Sequence, residues 1–378
     1  MDLRDALRAP VPVDDSALGG HNNFHLLRLA AALLVLFAHS YHLLRRASEE
    51  PIGRWFVWLD ASLLGVAIFF FLSGCLVARS WDVRKNLAAF LAARALRIAP
   101  ALWWVLVLSV FALGAAVTTL PLPRYFGDPD TWRYLVLNAI LTTQYLLPGV
   151  FESNPVPGIN GSLWTIRLEV VLYLILGITG WLALLAPLAP RAALRQAYER
   201  VARQPIVAVA MLLLALLLID KVLRTGVQYY SLAGYFLLGV LAFRFRHRIV
   251  LRLPEIVLLL ILAVALATTW AGPVLAPIAI ASALLALALH PACALPVTWL
   301  HRHDYSYGVY LYGFPVQQSL IAFGIDEPLL LFATCVPVTV GLAALSWHLV
   351  ERPALNQKHH VSKWIARWLP DPSVRAPA

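Results

Sequence analysis

Eleven stretches of this chain are apolar over about 17–25 residues, the length an α-helix needs to cross a bilayer. They lie near 24–44, 57–78, 98–119, 131–147, 163–187, 204–220, 227–243, 254–270, 273–290, 304–324 and 328–350. In hydrocarbon each backbone N–H and C=O must be satisfied inside the protein, so runs of this kind fold as helices. Composition points the same way. Of 378 residues, 61% are hydrophobic and 13% charged, against about 25% charged in soluble domains. The chain reads as an all-α polytopic membrane protein in a lipid bilayer, with no soluble domain beside it. Its net charge of +10 fits basic loops on an inner membrane face better than it fits nucleic acid.

Charge also sets the expected topology. Put the N-terminus inside and omit 131–147 as a crossing. Segments 1–23, 79–97, 188–203, 244–252, 291–303 and 351–378 then face the cytoplasm with 21 Lys and Arg, against 7 in the outer loops 45–56, 120–133 and 221–226. A full crossing at 131–147 would carry the basic segments 188–203 and 244–252 outside. The expectation is ten transmembrane helices, both termini cytoplasmic, and a short re-entrant or interfacial piece near 131–147. There Asn138, Thr142, Thr143 and Gln144 interrupt the apolar run. Residues 1–23 read as a polar cytoplasmic tail, 24–353 as the membrane domain and 354–378 as a second cytoplasmic tail. Residues 148–162, rich in Pro, Gly and Asn, should turn over the outer mouth. The Asn160-Gly161-Ser162 sequon within them is a three-residue match of little weight. Cys75, Cys293 and Cys335 show no metal-type spacing, so neither a metal site nor a disulfide is expected. No internal repeat is visible, which disfavours repeat-built transporters.

The first span carries Arg28 and His39. A central Arg costs about 2.5–3.5 kcal/mol to insert, so charged groups at depth usually mark function. Eleven positions apart, the two fall about 20° from each other on one helix face and roughly 16 Å apart along the axis. The plainer alternative is an arginine that snorkels and a histidine that packs between helices.

Other positions carry paired readings. Ser73 and Gly74 close the run Phe69–Gly74 and are expected near the inner face, level with Arg28; they are either a helix-packing contact or a place where a cofactor meets backbone. Arg94 and Arg97, at i and i+3, form a fork suited to phosphate oxygens or an ordinary inner-boundary signal. Glu169, about six residues into its span from the outside, is expected at the depth of His39, where a carboxylate would fix the imidazole tautomer. Its alternative is a structural Glu–Arg bridge. Tyr307 and Glu351 fall at the inner boundary. Depth alone thus sorts an inner cationic cluster (Arg28, Ser73, Arg94, Arg97, Tyr307, Glu351) from an outer pair (His39, Glu169). That division suits an anionic cytosolic donor with a long arm and an acceptor arriving from outside.

Taken in order, these elements resemble the acyltransferase 3 family of integral-membrane acyltransferases over about residues 20–355. They are Arg28 and His39, FFFLSG (69–74), Arg94-x-x-Arg97 before Ile98-x-Pro100, GSLWTIRLE (161–169), SYGVYL (306–311) and ERP (351–353). The resemblance implies an O-acyltransferase of the bacterial inner membrane. It would move an acyl group, most often acetyl from acetyl-CoA, to a carbohydrate hydroxyl of O-antigen, exopolysaccharide, peptidoglycan or a small glycoside. On this footing Arg94, Arg97 and Arg28 hold acetyl-CoA beside Ser73, Gly74 and Tyr307. His39 serves as general base, oriented by Glu169, or carries the acyl group transiently. Replacing Arg97 with alanine is expected to weaken acetyl-CoA binding most. One departure stands out: many members carry a histidine roughly where Gly313 lies, and its absence leaves His39 as the main candidate. Some members add an extracytoplasmic hydrolase-like domain; residues 354–378 are too few for one, so such a step would need a separate partner. Two other classes fit ten spans with a charged interior. A transporter or flippase for a lipid-linked sugar would not consume acetyl-CoA, and a scaffold subunit would not need Arg28 and His39 on one face.

Overall fold

The computed structural model describes residues 10–13, 22–56, 59–185, 227–269, 271–294 and 303–368. The expected span near 204–220 and its flanking loops 188–203 and 221–226 lie outside them. The apolar runs that are described form helices α1 (Phe24–His42), α2 (Ala61–Arg84), α3 (Leu87–Val107), α4 (Pro129–Ala139), α5 (Trp164–Leu185), α6 (Val227–Arg244), α7 (Leu253–Ala265), α8 (Gly272–Leu289), α9 (Ser306–Ala322) and α10 (Pro328–Ser346), and the more polar segment beyond them forms α11 (Lys358–Trp368). Among the described residues, 5 helical stretches are long and apolar enough to cross a membrane: α1, α2, α3 with its continuation, α5, and α10 with the turns after it. The chain is an integral membrane protein. Side-chain caps fix several of the starts. Asp60 accepts from Leu63 N–H at 2.7 Å ahead of α2, Asn86 from Ala89 at 2.9 Å ahead of α3, and Glu327 from Leu330 at 2.6 Å ahead of α10.

The segment 131–147 contains no crossing helix. Its helix α4 has 11 residues, about 16 Å at helical rise and roughly half the hydrocarbon thickness. Asn138 ends it: the side-chain amide donates to the Gln144 carbonyl at 3.1 Å and accepts from the Gln144 N–H at 3.0 Å, which folds the chain back. Leu141 turns the corner with φ of 66°. Of the polar residues that interrupt the apolar run, Asn138 is the one whose side chain closes the turn.

Helix α1 is the hub, packing against α2, α9 and α10, while α2 makes its longest contact with α6. The α2–α6 crossing depends on two glycines. A Cβ on Gly74 would lie 2.0 Å from the Phe236 carbonyl oxygen, and one on Gly239 would lie 2.1 Å from that of Phe71. Small residues let backbones approach where lipid supplies no hydrophobic drive between helices. Gly74, expected beside a cofactor, is here a packing position, because its missing side chain is filled by backbone of α6.

Helix α9 anchors the 148–162 loop. Pro315 has no N–H for the Leu311 carbonyl one turn earlier, and the Asn160 side chain supplies the missing donor at 2.9 Å. Asn160 is fully buried in that role, so its sequon is no glycan acceptor. Gln318 extends the seam, donating to Val156 and Gly158 carbonyls at 2.8 and 2.6 Å. At the other end of the bundle, Val11–Pro12 and Val250–Leu251 pair as a short antiparallel ladder, tying the N-terminal segment to the loop between α6 and α7.

Candidate active site

A cavity of about 230 Å³ sits where α1, α2, α3, α5, α9 and α11 meet. Arg28, Arg94, Arg97 and Lys358 bring positive charge to its wall; Ser73, Glu169, Tyr173 and Tyr307 complete the polar lining, and Leu76, Val77 and Ile98 the apolar part. The sequence explains how these groups converge. Arg94 and Arg97 share a face of α3, and Glu169 and Tyr173, four apart, share a face of α5. Helix α2 runs on to Arg84, so Ser73 is its thirteenth residue and lies near mid-helix rather than at the inner end. The cavity therefore runs from the level of Arg28 deep into the bundle.

Two carboxylates claim Arg97 and Arg28. Asp304, in the turn ahead of α9, takes Arg97 at 2.6 Å and Arg28 at 3.6 Å. Glu351 takes the second arm of Arg97 at 3.3 Å. Glu351 is brought there by a widened π-turn, Trp347–Glu351. That turn precedes Pro353, which has no N–H to close an ordinary helical bond. Arg97 also lies over the Tyr307 ring at 5.6 Å, and the Tyr307 hydroxyl donates to the Ile98 carbonyl at 3.1 Å. Arg97 is thus committed to protein partners on both arms. Arg94 is not: it reaches Ser80 Oγ at 3.3 Å and lies over the Tyr173 ring at 5.9 Å. The Nε atoms of Arg28 and Arg94 are buried without a hydrogen-bond partner. Buried donors of this kind cost about 1–3 kcal/mol each unless a ligand or water takes them.

Glu169 belongs to this cavity and not to the outer pair. Ser73 Oγ donates to Glu169 Oε1 at 3.0 Å and meets the Tyr173 hydroxyl at 2.7 Å, while the Tyr173 hydroxyl itself donates to Glu169. The expectation that Glu169 lies beside His39 is corrected by that triad. Counting residues inward from each helix end gives no register between helices, and the hydrogen bonds put Glu169 at the level of Ser73.

His39 stands near the other end of α1. Its ring meets Phe314 edge-on at 5.5 Å between centroids, and its Nδ1 is buried without a hydrogen-bond partner. His42, one turn further, lies 6.4 Å away ring to ring and pairs with Asp60 at 3.4 Å. Gly313 lies behind this site, where a Cβ would meet the Leu36 side chain at 2.4 Å. Leu36 occupies the space a histidine at that position would need. Next to His39, Ser40 and the Leu36 carbonyl both take the Gln317 amide at 2.8 Å, which fixes that turn of α1 to α9.

The structure thus brings Arg28, Ser73, Arg94, Arg97, Glu169 and Tyr307 into one cavity, sets His39 apart along α1, and removes Gly74 to a helix crossing. Sequence reasoning passed over Tyr173, Asp304 and Lys358. The i, i+4 spacing from Glu169 was a usable signal for Tyr173, and Asp304 sits two residues ahead of the SYGVYL stretch. Lys358 gave no signal, lying in a segment read as tail. Among the described residues no cluster of His, Cys, Asp and Glu is arranged to hold a metal.

Comparison with known proteins gives a consistent picture. The family described as "Acyltransferase domain" matches residues 21–348. The chain is 33% identical over 374 residues to Nodulation protein 10 of Rhizobium leguminosarum bv. viciae, covering 91% of this chain and 96% of the relative. It is 29% identical over 349 residues to the O-acetyl transferase of Shigella phage Sf6, covering 89% and 96%. No solved structure matches.

Proposed function

Because this chain belongs to the acyltransferase-domain family, which covers residues 21–348, we propose that it moves an acetyl group from cytoplasmic acetyl-CoA to a hydroxyl of a cell-envelope or exported carbohydrate, in a bacterial inner membrane. The observation that carries the proposal is the layout of α1. A cationic cavity with two unpaired buried arginine donors opens beside Arg28. Eleven positions up the same unbroken helix stands His39, with a ring nitrogen buried and unpaired.

In this reading both termini are cytoplasmic and the chain crosses ten times, so the cavity faces the donor's compartment and His39 the acceptor's. The phosphates of acetyl-CoA bind at Arg94 and Arg28, and the pantetheine arm extends toward His39 across the roughly 16 Å between them. At about 230 Å³ the cavity is smaller than the ~300–1,000 Å³ of enclosed drug-sized sites. It suits part of a long donor whose remainder lies in the opening. His39 takes the proton of the acceptor hydroxyl while its oxygen attacks the thioester carbonyl; the carbon–sulfur bond breaks, and the proton passes to the departing CoA thiolate. Transient acylation of His39 gives the same net transfer in two steps: the imidazole displaces CoA thiolate from the thioester, and the acceptor hydroxyl, losing its proton, then displaces the imidazole. Glu169 stays on the donor side, where it orients Ser73 and Tyr173. The name of the phage relative, an O-acetyl transferase, supports acetyl as the group and oxygen as its acceptor.

The test is transfer of labelled acetyl from acetyl-CoA by the purified protein to a panel of bacterial glycans, scored as alkali-labile ester. Stoichiometric label on one acceptor with release of CoA is the expected result. Movement of a lipid-linked sugar across liposomes with no CoA released would replace this reading with a flippase.

A further inference from the structure

The segment after Arg352-Pro353 contributes to the cavity. Its helix α11 packs along α3, the helix that carries Arg94 and Arg97. The inward stripe is legible in the burial: Lys358, Val361 and Ser362 are half-buried and Ile365 is buried at 8% exposure, while His360, Lys363 and Trp364 are exposed. Positions 358, 361, 362 and 365 follow the i, i+3, i+4, i+7 rule for one helix face. Ile365 seats the helix, and Lys358, its first residue, is held in the cavity wall.

Electrostatics makes that placement costly unless something anionic enters. Burial strips solvent from the Lys358 ammonium, and the positive fields of Arg94, Arg97, Arg84 and Arg28 oppose its charge further. Asp304 and Glu351 already serve Arg97 and Arg28, and Glu169 serves Ser73 and Tyr173. A lysine that shares a cavity wall with arginines, two of whose Nε atoms are buried and unpaired, is arranged for an anion with several oxygens. Lysine binds phosphate as a mobile point charge, and arginine as a planar fork.

We propose that Lys358 is a phosphate-binding residue of the acyl-donor site, and that α11 closes this site by laying Lys358 over the nucleotide end of the donor. This rests on the acyl-CoA reading above and extends it, because it makes the C-terminal helix part of the substrate site rather than a tail. The donor carries phosphate in two places, the diphosphate bridge and the 3′-phosphate of the adenosine. Either supplies the required chemistry.

The test measures dissociation constants of CoA, 3′-dephospho-CoA and pantetheine for the full-length parent, Lys358→Gln and Lys358→Arg, with thermal stability recorded for each. The expected result is a loss of about tenfold or more in CoA affinity for Lys358→Gln, mostly restored in Lys358→Arg, with pantetheine unaffected. A loss shared by 3′-dephospho-CoA assigns the lysine to the diphosphate; a loss confined to CoA assigns it to the 3′-phosphate. Unchanged CoA affinity in Lys358→Gln, or an equal loss for pantetheine, overturns the proposal, since a helix that only props the bundle would not distinguish phosphates. If the parent itself binds no CoA, the acyl-CoA reading fails and this assignment fails with it. A parent that binds CoA while Lys358→Gln behaves identically overturns only the assignment.

Discussion

Arg94 and Arg97, three residues apart on one helix, are separated in role by what surrounds them. Arg97 is gripped by Asp304 and Glu351, whose side chains are 7% and 2% exposed. Removing one member of a buried ion cluster leaves uncompensated charge and costs about 3–5 kcal/mol. Arg97→Ala is therefore expected to lower the thermal stability of the purified protein markedly, with donor affinity falling only as the fold loosens. Arg94→Ala removes a cation with one long hydrogen bond to protein. It should leave stability within about 1 kcal/mol and weaken CoA binding by about tenfold or more. The reverse pattern, with Arg97→Ala stable but unable to bind, would return the phosphate role to Arg97. The motif spacing alone pointed to both arginines, because a pair in sequence carries no sign of which one a distant carboxylate has claimed.

At the scale of elements, the crossing of α2 and α6 is the most sensitive joint. Gly74→Val puts side-chain atoms where the Phe236 carbonyl lies, and overpacking of this kind costs about 1–3 kcal/mol. Lower thermal stability, with residual donor affinity in the folded fraction, is the expected outcome. A stable variant that selectively loses CoA affinity would instead place Gly74 against the donor. The FFFLSG stretch is informative in both respects, since Ser73 faces the cavity and Gly74 the neighbouring helix. Successive helical residues point about 100° apart, so one motif serves two neighbours, and sequence could not say which residue served which. The interruption at 131–147 was legible for a physical reason. Asn138 is expensive in hydrocarbon unless its side chain satisfies backbone, and bonding the Gln144 backbone is what ends α4. The depth of Glu169 was not legible, because the register of α5 against α2 is set by contacts between residues far apart in the chain.

At the scale of the whole molecule, one helix links two chemical environments. The cavity gathers side chains from Arg28 to Lys358, so its six contributing helices must all pack before an anion can bind. His39, in contrast, depends mainly on α1 and α9, held together by Gln317 and Phe314. Binding and chemistry are therefore expected to separate by mutation at the two ends of α1. The most direct measurement compares the CoA dissociation constant with acetyl-CoA turnover in the parent and in His39→Ala. Affinity within about twofold of the parent, with turnover reduced by at least about 10²-fold, is the result this account requires. Turnover near the parent level in a folded His39→Ala protein would contradict it, and would move the chemistry away from the far end of the helix.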